Sequence, residues 1–319
     1  MKQHSKLYYL LFLLVATGLV LSAREQEPTK TKGTALNTVT ASEPDSVEIL
    51  KDAIVAYLNA AADYNNYFIS AGTLKETLRK NNGADLVIDI RKQEDYLHGH
   101  IPDAINLHLK EIGAKLDKIR AAADGRTVVV VCLNGQGAGQ IISLLNIDGI
   151  KALELKDGMG TGKDSKGWLG AKFPMSTEPT PMTDMPPVAI PNKAIDQAVR
   201  NYFLKLPPPP PHIIDGKDLY DKLAASPDAY VILDIRKPQD FENGHIKGAM
   251  NYQFGPAIAQ NIDVISENAK GKTLIVYSYS GQASGQVISM LNTIGIKVES
   301  LKGGFDAGWH KLFPKNMEK

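Results

Sequence analysis

The hydrophobic pattern of the 319-residue chain changes character several times along its length. Residues 7–21 form an apolar run without a charge, preceded by Lys2 and Lys6 and followed by Ser22, Ala23, Arg24 and Glu25. A basic start, an apolar stretch and a small residue ahead of the first charge predict an export segment. The run is apolar all round instead of on one stripe, unlike a surface helix of a core. Residues 7–23 make 17 uncharged positions, at the short end of the roughly 17–25 that cross a bilayer. Residues 1–23 are therefore read as a signal peptide or a membrane anchor. Either form sends the remainder out of the cytoplasm, so the expected location is the periplasm or cell envelope, with the inner membrane holding an uncleaved anchor. Residues 24–46 are polar, rich in Thr, Glu and Lys, and lack a sustained apolar period, which predicts a flexible tether.

Beyond the tether, short β-branched runs alternate with helical patterns. Residues 86–90, 127–131, 231–235 and 273–277 are apolar enough for buried parallel strands, and residues 137–145 and 285–291 carry helical spacing. The alternation predicts an α/β fold with parallel sheets flanked by helices. Residues 177–192 contain five prolines, which remove backbone donors and favour extended chain; this stretch is read as a linker between two domains, 47–176 and 193–319. A second run of five prolines, 207–211, is expected to be a polyproline II spacer.

The two halves repeat each other. Asp89, Arg91, Gly99, His100, Ile101, Ala104 and Asn106 recur as Asp234, Arg236, Gly244, His245, Ile246, Ala249 and Asn251, at a constant offset of 145 residues. Cys132, Gly135, Gln136, Gly139 and Gln140 align with Ser278, Gly281, Gln282, Gly285 and Gln286 at an offset of 146. A domain-length period means duplication, since solenoids repeat every 20–50 residues or so.

Composition narrows the chemistry. With 36 Lys and Arg against 35 Asp and Glu, the net charge is +1; a nucleic-acid binder driven by bulk electrostatics needs a basic excess or stripe. The single cysteine, Cys132, closes no disulfide within the chain and builds no cysteine-rich zinc or iron–sulfur site. His98 and His100 have no companion cluster at metal spacing, so neither a metal nor another cofactor is expected.

Cys132 follows the valine run 128–131 and precedes Leu133, Asn134, Gly135, Gln136, Gly137 and Ala138, which lead into the next helical pattern. Glycines at 135, 137 and 139 let backbone N–H groups turn inward, and a helix start adds partial positive charge. Such surroundings are expected to bias the thiol toward thiolate. A free cysteine at a strand end is often only a small apolar residue, but strand, glycine loop and helix start together favour a functional thiol.

At these residues the chain resembles the rhodanese (sulfurtransferase) family, over about 70–174 and 215–314. The stretch from Asp89 to Asn106, repeated from Asp234 to Asn251, is similar to the family's first signature, and the Cys132 loop to its active-site loop. Gly303, Gly304 and Trp309 resemble its C-terminal signature, with a looser form from Gly158 to Trp168. The resemblance implies two tandem rhodanese-like domains and transfer of sulfane sulfur from a small sulfur-containing donor, such as thiosulfate, to a thiol or cyanide-like acceptor through a Cys132 persulfide. It makes Cys132 the nucleophile, residues 133–138 the donors of backbone N–H groups, and Asp89 and Arg91 their support. His100 and His245 are expected to fix their turns by hydrogen bonding.

The chain departs from the family in three respects. Ser278 stands where the second copy would carry its cysteine, so that copy is expected to be silent; two-domain relatives usually keep the cysteine in the C-terminal copy. No Arg or Lys lies between Cys132 and Gln140, which leaves a thiosulfate-type anion without a cation in the loop. Gly137 occupies the position where a phosphatase or arsenate-reductase loop ends in arginine. The first copy's segment from Lys156 to Trp168 is five residues longer than the second's from Lys302 to Trp309, and Lys163 and Lys166 within it are candidates for donor binding. The competing reading is a non-catalytic binding or scaffold protein of the cell envelope.

Overall fold

The computed structural model describes residues 43–80, 85–163 and 166–319; the export segment expected at 1–23 and most of the tether lie outside them. No helix among the described residues is long and apolar enough to cross a membrane.

The first copy runs α1 (Glu43–Ala60), β1 (Phe68–Ile69), α2 (Ala71–Lys80), β2 (Asp85–Asp89), α3 (Gln93–Leu97), β3 (Ile105–Asn106), α4 (Leu116–Ala123), β4 (Thr127–Val131), α5 (Gln136–Ile147), β5 (Ala152–Leu155) and α6 (Gly167–Gly170). The second runs α7 (Lys193–Leu204), β6 (Ile213–Ile214), α8 (Gly216–Ala225), β7 (Tyr230–Asp234), α9 (Pro238–Glu242), β8 (His245–Ile246), β9 (Met250–Asn251), α10 (Pro256–Gln260), α11 (Ile262–Asn268), β10 (Thr273–Tyr277), α12 (Gln282–Thr293), β11 (Val298–Leu301) and β12 (Met317–Glu318). Each copy is a five-stranded parallel sheet, ordered β1-β5-β4-β2-β3 and β6-β11-β10-β7-β9. The short pair β8 and β12 is antiparallel. Strands β4 and β10 are central, as their unbroken apolar runs require: every residue from Val128 to Val131 and from Thr273 to Tyr277 is buried, and only a strand covered on both faces needs such a run.

The sheets face each other through the two long helices that follow the central strands. Helices α5 and α12 pack side by side, and one apolar cluster extends from Leu86, Val128 and Ile141 of the first copy to Leu233, Leu274 and Ile288 of the second. The outer face of each sheet has its own smaller cluster, around Trp168 and Trp309 respectively.

Each copy's leading helix crosses to the other copy. Helix α1 precedes the first copy but packs on α10 of the second; its Lys51 pairs with Asp263 of α11 at 2.7 Å and the Tyr57 hydroxyl donates to Gln286 of α12 at 2.8 Å. Helix α7 precedes the second copy, yet its Arg200 pairs with Asp117 at 2.5 Å and the Tyr202 hydroxyl donates to Gln140 at 2.6 Å. Two details correct the sequence reading. The tether expected to reach residue 46 gives way to α1 at Glu43, because the buried series Leu50, Ile54, Tyr57 and Leu58 makes a helical stripe whose first turn extends upstream. The proline run at 207–211 bends at 208–210 instead of forming a straight spacer.

Candidate active site

Cys132 leaves the carboxyl end of β4, between β5 and β2, where loops of parallel sheets place functional groups. Gly135 takes φ +92° as the residue before α5, a conformation that side chains rarely adopt. That turn brings its N–H to the cysteine Sγ at 3.0 Å, while the thiol faces the Asn134 side-chain oxygen at 3.9 Å. Cys132 as a residue is 8% exposed, Leu133 is 53% exposed and Asn134 is also at the surface. Gly135, Gln136 and Ala138 are buried beneath them, with Gly137 half-buried.

Backbone contacts hold the loop from the side. The carbonyls of Cys132 and Leu133 accept from the N–H groups of Met159 and Gly160, both at 2.8 Å. A Cβ on Gly158 would lie 2.3 Å from the Cys132 carbonyl oxygen, so the close approach requires glycine. The longer segment therefore meets the cysteine through its backbone. Its Lys163 and Lys166 side chains are exposed, and residues 164 and 165 between them are outside the described region.

Burial corrects the expected thiolate bias. The Cys132 thiol is pushed up, first by desolvation and further by buried Glu154; the N–H groups of Ala138, Asn134 and Gly135 pull the other way without offsetting burial. The loop thus supplies the donors read from its glycines, but in a site too dry for them to keep the resting thiol ionised.

Asp89 and Arg91 form a buried ion pair at 2.6 Å, and the guanidinium also donates to the Gly99 carbonyl at 2.8 Å. The Asn106 amide donates to the carbonyls of both residues. Asp234, Arg236, Gly244 and Asn251 repeat the whole arrangement, with the ion pair at 2.7 Å. Because the copy without a cysteine builds it identically, the network braces β2 against β3 and β7 against β9. His100 has its two ring nitrogens against the carbonyls of Tyr96 and Glu178 and stacks on Tyr96 at 3.7 Å; His245 stacks likewise on Phe241. Among the described residues no cluster of three His, Cys, Asp or Glu is placed to hold a metal.

The second copy forms the same cradle around oxygen. Ser278 Oγ accepts from Gly281 N–H at 3.1 Å and Ser284 N–H at 3.4 Å, and Phe305 N–H donates to the Ser278 carbonyl as Met159 does to Cys132.

A family model described as the rhodanese-like domain matches residues 70–161 and 216–311, more than half of the chain. The chain belongs to the rhodanese-like domain family. This tandem rhodanese-like chain is 35% identical over 89 residues to thiosulfate sulfurtransferase GlpE of Stutzerimonas stutzeri, covering 28% of the chain and 77% of that protein. It is 29% identical over 93 residues to a tRNA sulfurtransferase of Pyrobaculum aerophilum, covering 29% of the chain and 17% of the relative, so it spans under a fifth of that protein's length. Among solved structures, thiosulfate sulfurtransferase from Pseudomonas aeruginosa aligns over 82% of this chain and 47% of its own, at 17% identity and a TM-score of 0.32.

The structure also reveals residues that sequence reasoning missed. Glu154 on β5 is fully buried, accepts at Oε1 from the Gln282 side chain at 3.0 Å, and has no partner at Oε2. The recurrence of glutamine at 136 and 282, retained where the cysteine is not, was the available signal for Gln282. Nothing in the alternating pattern of β5 singled out Glu154.

Proposed function

We propose that this protein is a sulfurtransferase of the cell envelope that carries sulfane sulfur on Cys132, with a second copy that takes no sulfur itself. The observation that carries the reading is the Cys132 sulfur held within a rhodanese-type loop, with the Gly135 N–H directed at it at 3.0 Å. In the first half-reaction the thiol, protonated at rest, gives its proton to solvent and the resulting thiolate attacks the sulfane sulfur of a donor such as thiosulfate. The Cys132 S–S bond forms, the donor's S–S bond breaks, and sulfite leaves with the electron pair. In the second, a thiolate or cyanide attacks the outer sulfur of the persulfide, and Cys132 departs as thiolate. Inward N–H groups stabilise both the thiolate and the persulfide anion without reorganising. Ser278 has an oxygen in the same cradle, which forms no persulfide.

The loop from Cys132 to Gln140 contains no cation, so on this reading Lys163 and Lys166 supply the positive charge that neutralises an anionic donor. The basic start and apolar run of residues 1–23 support the part of this reading that sets the protein outside the cytoplasm, cleaved or as an anchor. Intact mass after incubation with thiosulfate tests the central claim: wild type gains one sulfur and Cys132→Ser gains none. Absence of any gain, with thiosulfate or a small-molecule persulfide, overturns transfer in favour of a binding or scaffold module. Lys163→Ala combined with Lys166→Ala is expected to raise the thiosulfate concentration needed for loading.

A further inference from the structure

The cysteine-free copy contributes a side chain to the floor of the Cys132 loop. Gln282 is the first residue of α12 and is 4% exposed. Its amide reaches into the first copy and donates to Glu154 Oε1 at 3.0 Å. On the way it lies directly over Gly135: a Cβ there would fall 1.9 Å from Gln282 Nε2 and 2.6 Å from its Cδ. Gly135 is the residue whose N–H meets the cysteine sulfur. The amide thus covers the turn that aims this donor, with the far end of the amide tied to β5.

The opposite contact is nearly its mirror image. Gln136 lies over Gly281, donates to Ser300 Oγ at 2.8 Å and the Leu301 carbonyl at 3.0 Å, and accepts from Gly303 N–H at 3.2 Å. The two sides differ in what anchors the amide: Glu154 in the first copy corresponds to Ser300 in the second. Only the copy with a thiol ties its neighbour's glutamine to a carboxyl. Groups facing Glu154 are Tyr57 from α1, Cys132 after β4 and Asp157 after β5, while α5 and α12 present no charged side chain.

We propose that Gln282 is a positioning residue for the Cys132 sulfur: by clamping Gly135 from the second copy and anchoring on Glu154, it keeps the Gly135 N–H aimed at the reacting atom. The second copy is then part of the sulfur site despite having no thiol. The consequence for sulfur transfer rests on reading Cys132 as the carrier; the consequence for the thiol's ionisation does not.

The test uses the full chain with Gln282→Ala, Gln282→Met and, as a control for general loosening of the interface, Ser289→Ala. The pH dependence of Cys132 alkylation by iodoacetamide is measured for each, together with sulfur loading from thiosulfate and the unfolding midpoint. Gln282→Ala is expected to move the alkylation profile about one pH unit upward and to slow loading about tenfold, the size of effect expected when a hydrogen bond to an anion is lost. Gln282→Met keeps cover over Gly135 but not the bond to Glu154, and is expected to shift the profile in the same direction by less. Ser289→Ala should leave the profile in place. A Gln282→Ala profile that superimposes on wild type overturns the proposal, as does an equal shift in Ser289→Ala. If Gln282→Ala does not fold, an unshifted Gln282→Met profile overturns it. If wild type takes up no sulfur, sulfurtransfer fails while the alkylation profiles still decide the role of Gln282.

Discussion

The hydroxyls of Ser143 and Ser289 meet at 2.7 Å, and these residues are equivalent in the two copies, 146 positions apart. A residue bonded to its own counterpart marks the pseudo-twofold axis, which passes between α5 and α12. Around that axis Tyr57 and Tyr202 bond to Gln286 and Gln140, and the two glutamines at 136 and 282 reach into opposite sheets. The side chains of Gln136, Gln140, Gln282 and Gln286 are each bonded across this interface.

Such packing leaves no room at the helix crossing. A Cβ on Gly285 would lie 2.3 Å from the Gln136 carbonyl oxygen, which is backbone and yields only if the helices separate. Gly285→Ala is expected to destabilise by about 2–3 kcal/mol, in the range of overpacked cores. Gly72→Ala, in α2 with nothing nearer than the Ser70 hydroxyl at 3.9 Å, should instead stabilise by about 0.5–1 kcal/mol by restricting the unfolded chain. Urea midpoints moving in opposite directions would verify the pair.

The thiol's burial sets a pH dependence. Desolvation and Glu154 raise Cys132 above the ordinary value of 9.0, and a thiol loses its proton as pH rises through its pKa. The rate of alkylation by iodoacetamide in wild type should therefore still be climbing above pH 9. A plateau near neutral pH would show that the inward N–H groups dominate after all.

Ser278→Cys tests whether the second cradle is only missing its sulfur. The N–H groups of Gly281 and Ser284 already converge on that position. Intact mass is expected to show two alkylated thiols, and a second sulfur on loading. A single alkylation would mean that the second loop is closed to reagents.

Folding stability carries a separate acid response. Burial pushes Asp148 up to about 6 against 3.8 unfolded, although Arg120 beside it pulls the other way. The folded state then holds a proton that the unfolded state releases, so this group's contribution is full below pH 3.8 and lost as pH rises through about 6. The change is on the order of 3 kcal/mol at most. Asp148→Asn should flatten the fall in unfolding free energy between those two values, measured by urea titration at each pH.

The sequence by itself determined the duplication, the parallel α/β class, the buried strands at 127–131 and 273–277, and the lone cysteine ahead of a helix. Apart from the duplication, which shows when the two halves are aligned, each of these is local: side-chain period, apolar run length and glycine placement act between residues close in the chain. Only the tertiary structure decided how dry the thiol is, that α1 and α7 exchange partners, and that Gln282 and Glu154 meet beneath the cysteine loop. Burial and electrostatics depend on what packs from elsewhere; Gln282 reaches Glu154 across 128 positions of chain, a pairing that neither the local side-chain period nor the 145-residue repeat encodes.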